Sequence, residues 1–151
     1  MSFEAFFFDL DDTLYPPSSG VWEAIGQRMD VYIHDLLGFP SEEAKPLRKR
    51  LFNEYGTTLH GLKTLYDIDE LDFLEYVHDI PLENYIRREP AVVSAISNLP
   101  GRKFIFTNAH WKHAERVLSI LGLEDLFSGI IDILQIRPYY KPLLEAYQKA
   151  V

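Results

Sequence analysis

The chain opens on a short apolar, aromatic run, Ala5 to Phe8, that breaks at once into Asp9-Leu10-Asp11-Asp12-Thr13. A run this short and β-prone, stopped by polar residues, predicts a buried strand running into a loop. Pro16-Pro17-Ser18-Ser19-Gly20 ends that loop, and the period then changes. Val21, Trp22, Ile25, Met29, Tyr32, Ile33, Leu36 and Leu37 recur at helical spacing as far as Gly38, which predicts an amphipathic helix. Ser41 is placed to cap a second helix, with Glu42 and Glu43 in its positive first turn and Gly56 past its end. Gly61, Leu62 and Leu65 predict a turn and a short helix. Asp69 is a cap for another helix through Phe73, Leu74 and Val77, closed by Pro81. Nothing between about residues 18 and 88 reads as strand, so this block is expected to be an all-helical insertion.

Beyond it the period alternates. Pro90 suits the first turn of a helix running to Asn98, and Pro100-Gly101 turns the chain into Lys103-Phe104-Ile105-Phe106, a second buried strand ending in Thr107-Asn108. A helix is expected from about His110 to Leu121, stopped by Gly122. Ile130-Ile131-Asp132-Ile133 reads as a third strand, and Tyr140-Lys141-Pro142 opens a last helical pattern containing Leu144 and Tyr147. Strands alternating with helices predict an α/β fold built on a doubly wound parallel sheet. Residues 1–17 and 89–151 would form that core, and residues 18–88 the insertion.

Composition narrows the function classes. With 151 residues there is room for one domain and a small insertion, and 47% hydrophobic with 25% charged residues is the balance of a globular protein. The net charge of −8 argues against a nucleic-acid polymer or an anionic membrane as partner. A small phosphorylated metabolite stays open, because a bound cation reverses the local field. Cysteine is absent, which excludes disulfides and thiolate metal sites. Met-Ser-Phe-Glu is not a basic, apolar signal segment and no apolar run has membrane length, so a cytoplasmic location is expected.

The chemistry sits at the strand ends, where open parallel sheets bind ligands. Aspartates often cap turns, but three acids crowded at one strand end repel each other unless a cation or proton intervenes. Of two carboxylates two residues apart, one can be a nucleophile and the other a proton carrier, and both suit a hard divalent cation. Thr107-Asn108, at the equivalent point of the second strand, offers a hydroxyl, an amide and the N–H groups of a helix start, an anion cradle or an ordinary cap. Lys141, ahead of Pro142 at a stiff helix start, could offset charge between a carboxylate and a phosphate. His110 and His113, three apart, have metal-ligand spacing but no companion acid or Cys, so a solvated or substrate-facing helix end is expected. Lys45, Arg48, Lys49 and Arg50 are expected to be a solvated face, and Trp22 and Tyr32 helix-packing core.

Asp9-Leu10-Asp11-Asp12-Thr13-Leu14-Tyr15-Pro16 after a hydrophobic strand resembles the first motif of the haloacid dehalogenase-like (HAD) phosphohydrolases, in the form found in their pyrimidine 5′-nucleotidase-type branch. Thr107 resembles the second motif and Lys141-Pro142 the third. The run from Thr107-Asn108-Ala109 through His113-Ala114-Glu115-Arg116-Val117-Leu118 to Leu121-Gly122-Leu123 continues the likeness. The resemblance implies a Rossmannoid core with a mobile helical cap and a magnesium-dependent phosphomonoesterase acting on a nucleoside 5′-monophosphate. Asp9 would be the nucleophile and Asp11 the acid and base. Mg2+ would lie on Asp9 and the main-chain carbonyl of Asp11, and Thr107, Asn108 and Lys141 would hold the phosphate. Thr13, Tyr15 and His110 are weaker candidates for contacts with substrate or cap.

The family continues past the lysine motif to a further strand ending in an acidic pair, its fourth motif. Here no such pair follows Lys141; Asp132 comes too early and Glu145 lies in the last helix. The first strand is then expected at an open, hydrophobic edge. That leaves an impaired or inactive domain, a homo-oligomer covering the edge, or a fragment completed by another chain. The second function class is therefore a non-catalytic HAD-like module serving phosphate binding or self-assembly.

Overall fold

A computed structural model describes residues 3–151. In chain order its elements are β1 (Ala5–Phe8), α1 (Val21–Asp35), α2 (Ser41–Tyr55), α3 (Thr58–Tyr66), α4 (Glu70–Val77), α5 (Pro90–Ser97), β2 (Arg102–Phe106), α6 (Trp111–Leu121), β3 (Gly129–Ile131), α7 (Ile133–Ile136) and α8 (Leu144–Ala150). The chain divides into two compact units. One comprises the described residues up to Trp22 together with Pro81–Val151, and the other is Glu23–Ile80. No helix among the described residues is long and apolar enough to cross a membrane.

The first unit is α/β. Its strands are all parallel, in the order β1-β2-β3, with Phe7 opposite Phe104 and Ile105 opposite Ile130. Parallel neighbours need a crossover, and α6 runs between β2 and β3 with its apolar phase (His113, Ala114, Val117, Leu118, Leu121) turned inward. Gly101 makes the entry to β2: its φ is +83°, and a Cβ there would lie 2.9 Å from the Glu4 carbonyl. The core gathers Leu10, Ile105, Phe106, Leu118, Leu123 and Ile136, all buried.

Some boundaries differ from the sequence reading. Among the described residues β1 is paired on one side only, and it is not fully buried: Phe7 stacks on Phe104 at 5.5 Å yet stays 44% exposed. A strand at a sheet edge keeps one flank in water. The third strand stops at Ile131, because Asp132 accepts a hydrogen bond from the Gln135 N–H and starts α7 instead. Pro142 does not begin the last helix, which opens at Leu144. Trp22, expected in the core, is 49% exposed.

The second unit is wholly helical. Thr57 and Asp69 cap α3 and α4 through bonds from the His60 and Asp72 N–H groups. Ser41 is no cap: it is the first residue of α2, and its hydroxyl turns to Glu42. Gly61 lets α2 and α3 meet, since a Cβ there would lie 2.9 Å from Leu51. Tyr32 is buried edge-on against Phe73 and Tyr76 and donates to Asp72 at 3.2 Å. Arg48 leaves the expected solvated face to clasp Asp30 with two bonds, at 2.6 and 3.2 Å.

Candidate active site

The end of β1 folds into a tight turn. Leu10 is fully buried, and its carbonyl accepts from the N–H groups of Thr13 (3.3 Å) and Leu14 (3.0 Å). Asp12 takes the left-handed conformation, φ 56°, which Asp tolerates better than most residues. This turn sends alternate side chains to one end of the strand. Thr13 Oγ1 donates to Asp9 Oδ2 at 3.1 Å, and the Tyr15 hydroxyl donates to Asp11 Oδ1. The two residues expected at substrate or cap thus use their hydroxyls on the carboxylates. Burial, then the charge of Asp11, pushes the Tyr15 phenol far upward, so it remains a proton donor.

The other sheet elements bring the remaining groups to the same place. Lys141 Nζ lies 2.7 Å from Asp9 Oδ1 and 2.5 Å from the Phe106 carbonyl at the end of β2. Its side chain is only 16% exposed against 48% for Asp9, so a mostly buried cation faces an open carboxylate. Asn108 holds the lysine in place by a reciprocal pair: its amide donates to the Lys141 carbonyl at 3.0 Å and accepts from the Lys141 N–H at 2.8 Å. One amide N–H of Asn108, the residue expected to bind phosphate, is thus spent on the lysine backbone. Thr107 is buried and its oxygen accepts from the Ala109 N–H at 3.0 Å, which leaves the hydroxyl proton to point elsewhere.

Of the two alternatives for the helix-end histidines, solvated or substrate-facing, the structure removes the first. Both are buried, not solvated. His110 precedes α6 with its ring 5.6 Å from that of Trp111. His113 Nε2 lies 2.7 Å from Asp11 Oδ1. Asp132 is equally buried, and its oxygens serve the N–H groups of Trp111 (3.0 Å) and Gln135 (3.1 Å) at the starts of two helices.

A family model of the haloacid dehalogenase-like hydrolases matches residues 3–151. The chain belongs to this hydrolase family. It is 34% identical over 136 residues to phosphate metabolism protein 8 of Saccharomyces cerevisiae, an alignment that covers 84% of this chain and 42% of the yeast protein. The chain therefore spans less than half of that relative's length. Its fold is like that of the HAD-hydrolase YfnB of Bacillus subtilis, solved bound to magnesium, with a TM-score of 0.56 and 18% identity over 99% of this chain and 72% of the other.

The candidate site of this HAD-like hydrolase is a row of carboxylates with the Lys141 cation against Asp9. Asp12 shows the consequence: burial first, then the charges of Asp11 and Asp9, raise its carboxyl above the ordinary range. Its Oδ1 is buried with no hydrogen-bond partner among the described residues. Among the described residues no three His, Asp or Glu side chains gather as a metal cluster, and the donors at hand are the oxygens around Asp9 and Asp11. The feature missed in the sequence is the contact of His113 with Asp11. A signal existed: His113 shares its helical phase with Val117 and Leu121, so it had to face inward rather than to solvent.

Proposed function

We propose that this HAD-like hydrolase is a magnesium-dependent phosphomonoester hydrolase acting on a small phosphorylated metabolite, a pyrimidine nucleoside 5′-monophosphate. The observation that carries the reading is the pairing of an open Asp9 carboxylate with the mostly buried Lys141 ammonium at 2.7 Å. A nucleophilic carboxylate and a phosphate dianion repel strongly, and a fixed cation between them offsets that repulsion. Asp9 attacks phosphorus and forms an aspartyl-phosphate while Asp11 gives a proton to the departing alcohol. Asp11 then takes a proton from the water that cleaves the acyl-phosphate, which returns both carboxyls to their starting states. Thr107 and Lys141 hold the phosphate oxygens, and Asn108 acts through the lysine backbone. The helical unit serves as the cap that chooses the leaving group.

The residues present fit a hard divalent cation. The donors are oxygens, and the unpartnered Asp12 oxygen and its raised carboxyl report unrelieved negative charge at this strand end. Asp9 and the Asp11 carbonyl would hold magnesium, which would supply further positive charge against the phosphate. The yeast relative's name, a phosphate metabolism protein, and the magnesium of YfnB support the reading. The test is phosphate release from a panel of nucleoside monophosphates, with and without magnesium, wild type beside Asp9→Asn. Release by the wild type only, dependent on magnesium and favouring pyrimidine nucleotides, is expected. Equal release by both proteins would remove Asp9 from the chemistry.

A second reading has its own observation. Among the described residues β1 is an edge; Phe7 on it and Phe3 just before it are 44% and 68% exposed. An open apolar edge pairs with other strands, so the domain would serve phosphate binding or self-assembly without turnover. A folded wild type that forms homo-oligomers and binds phosphate but releases none would favour this reading.

A further inference from the structure

A groove of about 570 Å³ lies beside β3, and none of Asp9, Asp11, Asp12 and Lys141 lines it. Phe127, Ser128, Gly129 and Ile130 all do. Successive side chains of an extended chain point to opposite faces, so consecutive residues share a groove where it follows the strand's edge. A second wall is one stripe of α6, with Trp111, Glu115 and Leu118 at helical spacing. Among the described residues β3 pairs with β2 alone, so its other flank offers unpaired backbone N–H and C=O groups. Lysine and proline commonly guard such edges, yet residues 127–131 hold neither, and Gly129 has no side chain to keep another backbone away. Charge narrows the occupant. Two carboxylates, Glu115 and Glu124, line the groove, and no lysine, arginine or histidine does. Both are exposed, and neither carboxylate has a partner among the described residues.

We propose that this groove binds an extended, basic peptide segment of another protein, which adds to the open edge of β3 and sets lysine or arginine side chains against Glu115 and Glu124. Strand addition takes its affinity from main-chain hydrogen bonds and its selectivity from the side chains that alternate along the peptide. The unpaired edge of β3 supplies the first, and the two carboxylates beside apolar Trp111, Leu118 and Ile130 supply the second. A small free amine would use the acids and leave the edge unpaired. The proposal is independent of the phosphohydrolase reading, since it uses no residue of the carboxylate row.

The probe is a short fluorescein-labelled peptide of alternating arginine and valine, mixed with the full chain and followed by fluorescence anisotropy at low salt. Saturable binding is expected, and a glutamate–valine peptide should not bind. An added strand turns alternate N–H groups toward its neighbour. Methylating the peptide nitrogens of one residue type should therefore weaken binding at least about 10-fold, the loss of one or two hydrogen bonds, and methylating the other type should not. Equal effects of the two methylations overturn strand addition. Glu115→Lys with Glu124→Lys, on two exposed side chains whose change costs the fold little, should weaken binding at least about 10-fold; unchanged affinity overturns the site. Amide hydrogen exchange of wild type should slow across Gly129–Ile131 when the peptide binds, whereas slowing at Ala5–Phe8 instead places the event on the other edge and overturns the proposal. So does argininamide binding as tightly as the peptide, which would make this a site for small amines. Dimers in sedimentation that the double lysine variant breaks would make a second copy of the chain the occupant, and no binding of the basic peptide leaves the groove without the proposed one; either result overturns it.

Discussion

In the α/β unit three carboxylates crowd at one strand end, whereas in the helical unit Arg28, Tyr32 and Arg48 each meet a partner of their own. Arg48 clasps Asp30, Arg28 donates twice to the Tyr76 carbonyl, and Tyr32 donates to Asp72. Asp9, Asp11 and Asp12 instead crowd together, with Lys141 answering one of them and Asp12 left with a raised carboxyl. Paired charges hold helices together and leave nothing for chemistry. Crowded ones weaken the fold locally and leave a site with charge to offer a ligand. The difference separates charges spent on packing in the helical unit from charges left unspent in the α/β unit, which the proposed function puts to use.

The largest test of that contrast is Asp9→Asn. It should lower turnover by at least about 1,000-fold, as expected when a nucleophile is lost, while the melting temperature moves little because Asp9 is half-exposed. A large loss of stability instead would mean that the site also holds the fold together. Arg48→Leu should do the reverse. Leaving Asp30 without its partly buried clasp costs about 1–3 kcal/mol, read by urea unfolding, with turnover per folded molecule unchanged.

Two smaller effects carry opposite signs. Asp12→Asn keeps a residue type that accepts the left-handed turn and removes one of the crowded charges, so metal-free protein should melt slightly higher. A carboxyl raised in the folded state contributes stability in acid that is lost as pH climbs through the raised value. The variant should lack that loss. Tyr32 works at the other end of the scale. Burial, then Asp72, pushes its phenol from 10.0 up to about 12. Its contribution is therefore full below pH 10, where the unfolded phenol is neutral, and is lost as pH rises through about 12. Unfolding followed across that window should show a steeper fall for wild type than for Tyr32→Phe.

The local signals legible in the chain were those decided by neighbours in sequence. The period change at Val21, the Asp69 cap and the Gly56 and Gly122 stops all appear in the structure, because each depends on a few adjacent residues. Asp9, Lys141 and Thr107 are likewise gathered at neighbouring strand ends by the parallel order of β1 and β2. What escaped was which atom each side chain meets. Asn108 has the makings of an anion ligand, yet its partner is a backbone 33 residues away. His113 reads in sequence as part of a solvated or substrate-facing helix end, yet the register of α6 aims it at Asp11, 102 residues earlier. Ser41 and Arg48 were misread for the same reason: capping and clasping depend on geometry that a type and a spacing do not contain.

The central claim is that Asp9 is the atom-bearing nucleophile of this strand end. Wild-type protein mixed with magnesium and a phosphomonoester, quenched in acid during turnover and weighed intact, tests it directly. One added phosphoryl group, released by hydroxylamine and mapped to Asp9, is the predicted result. Phosphate release with no phosphorylated protein at any time, or a phosphoryl group on another residue, would contradict the account.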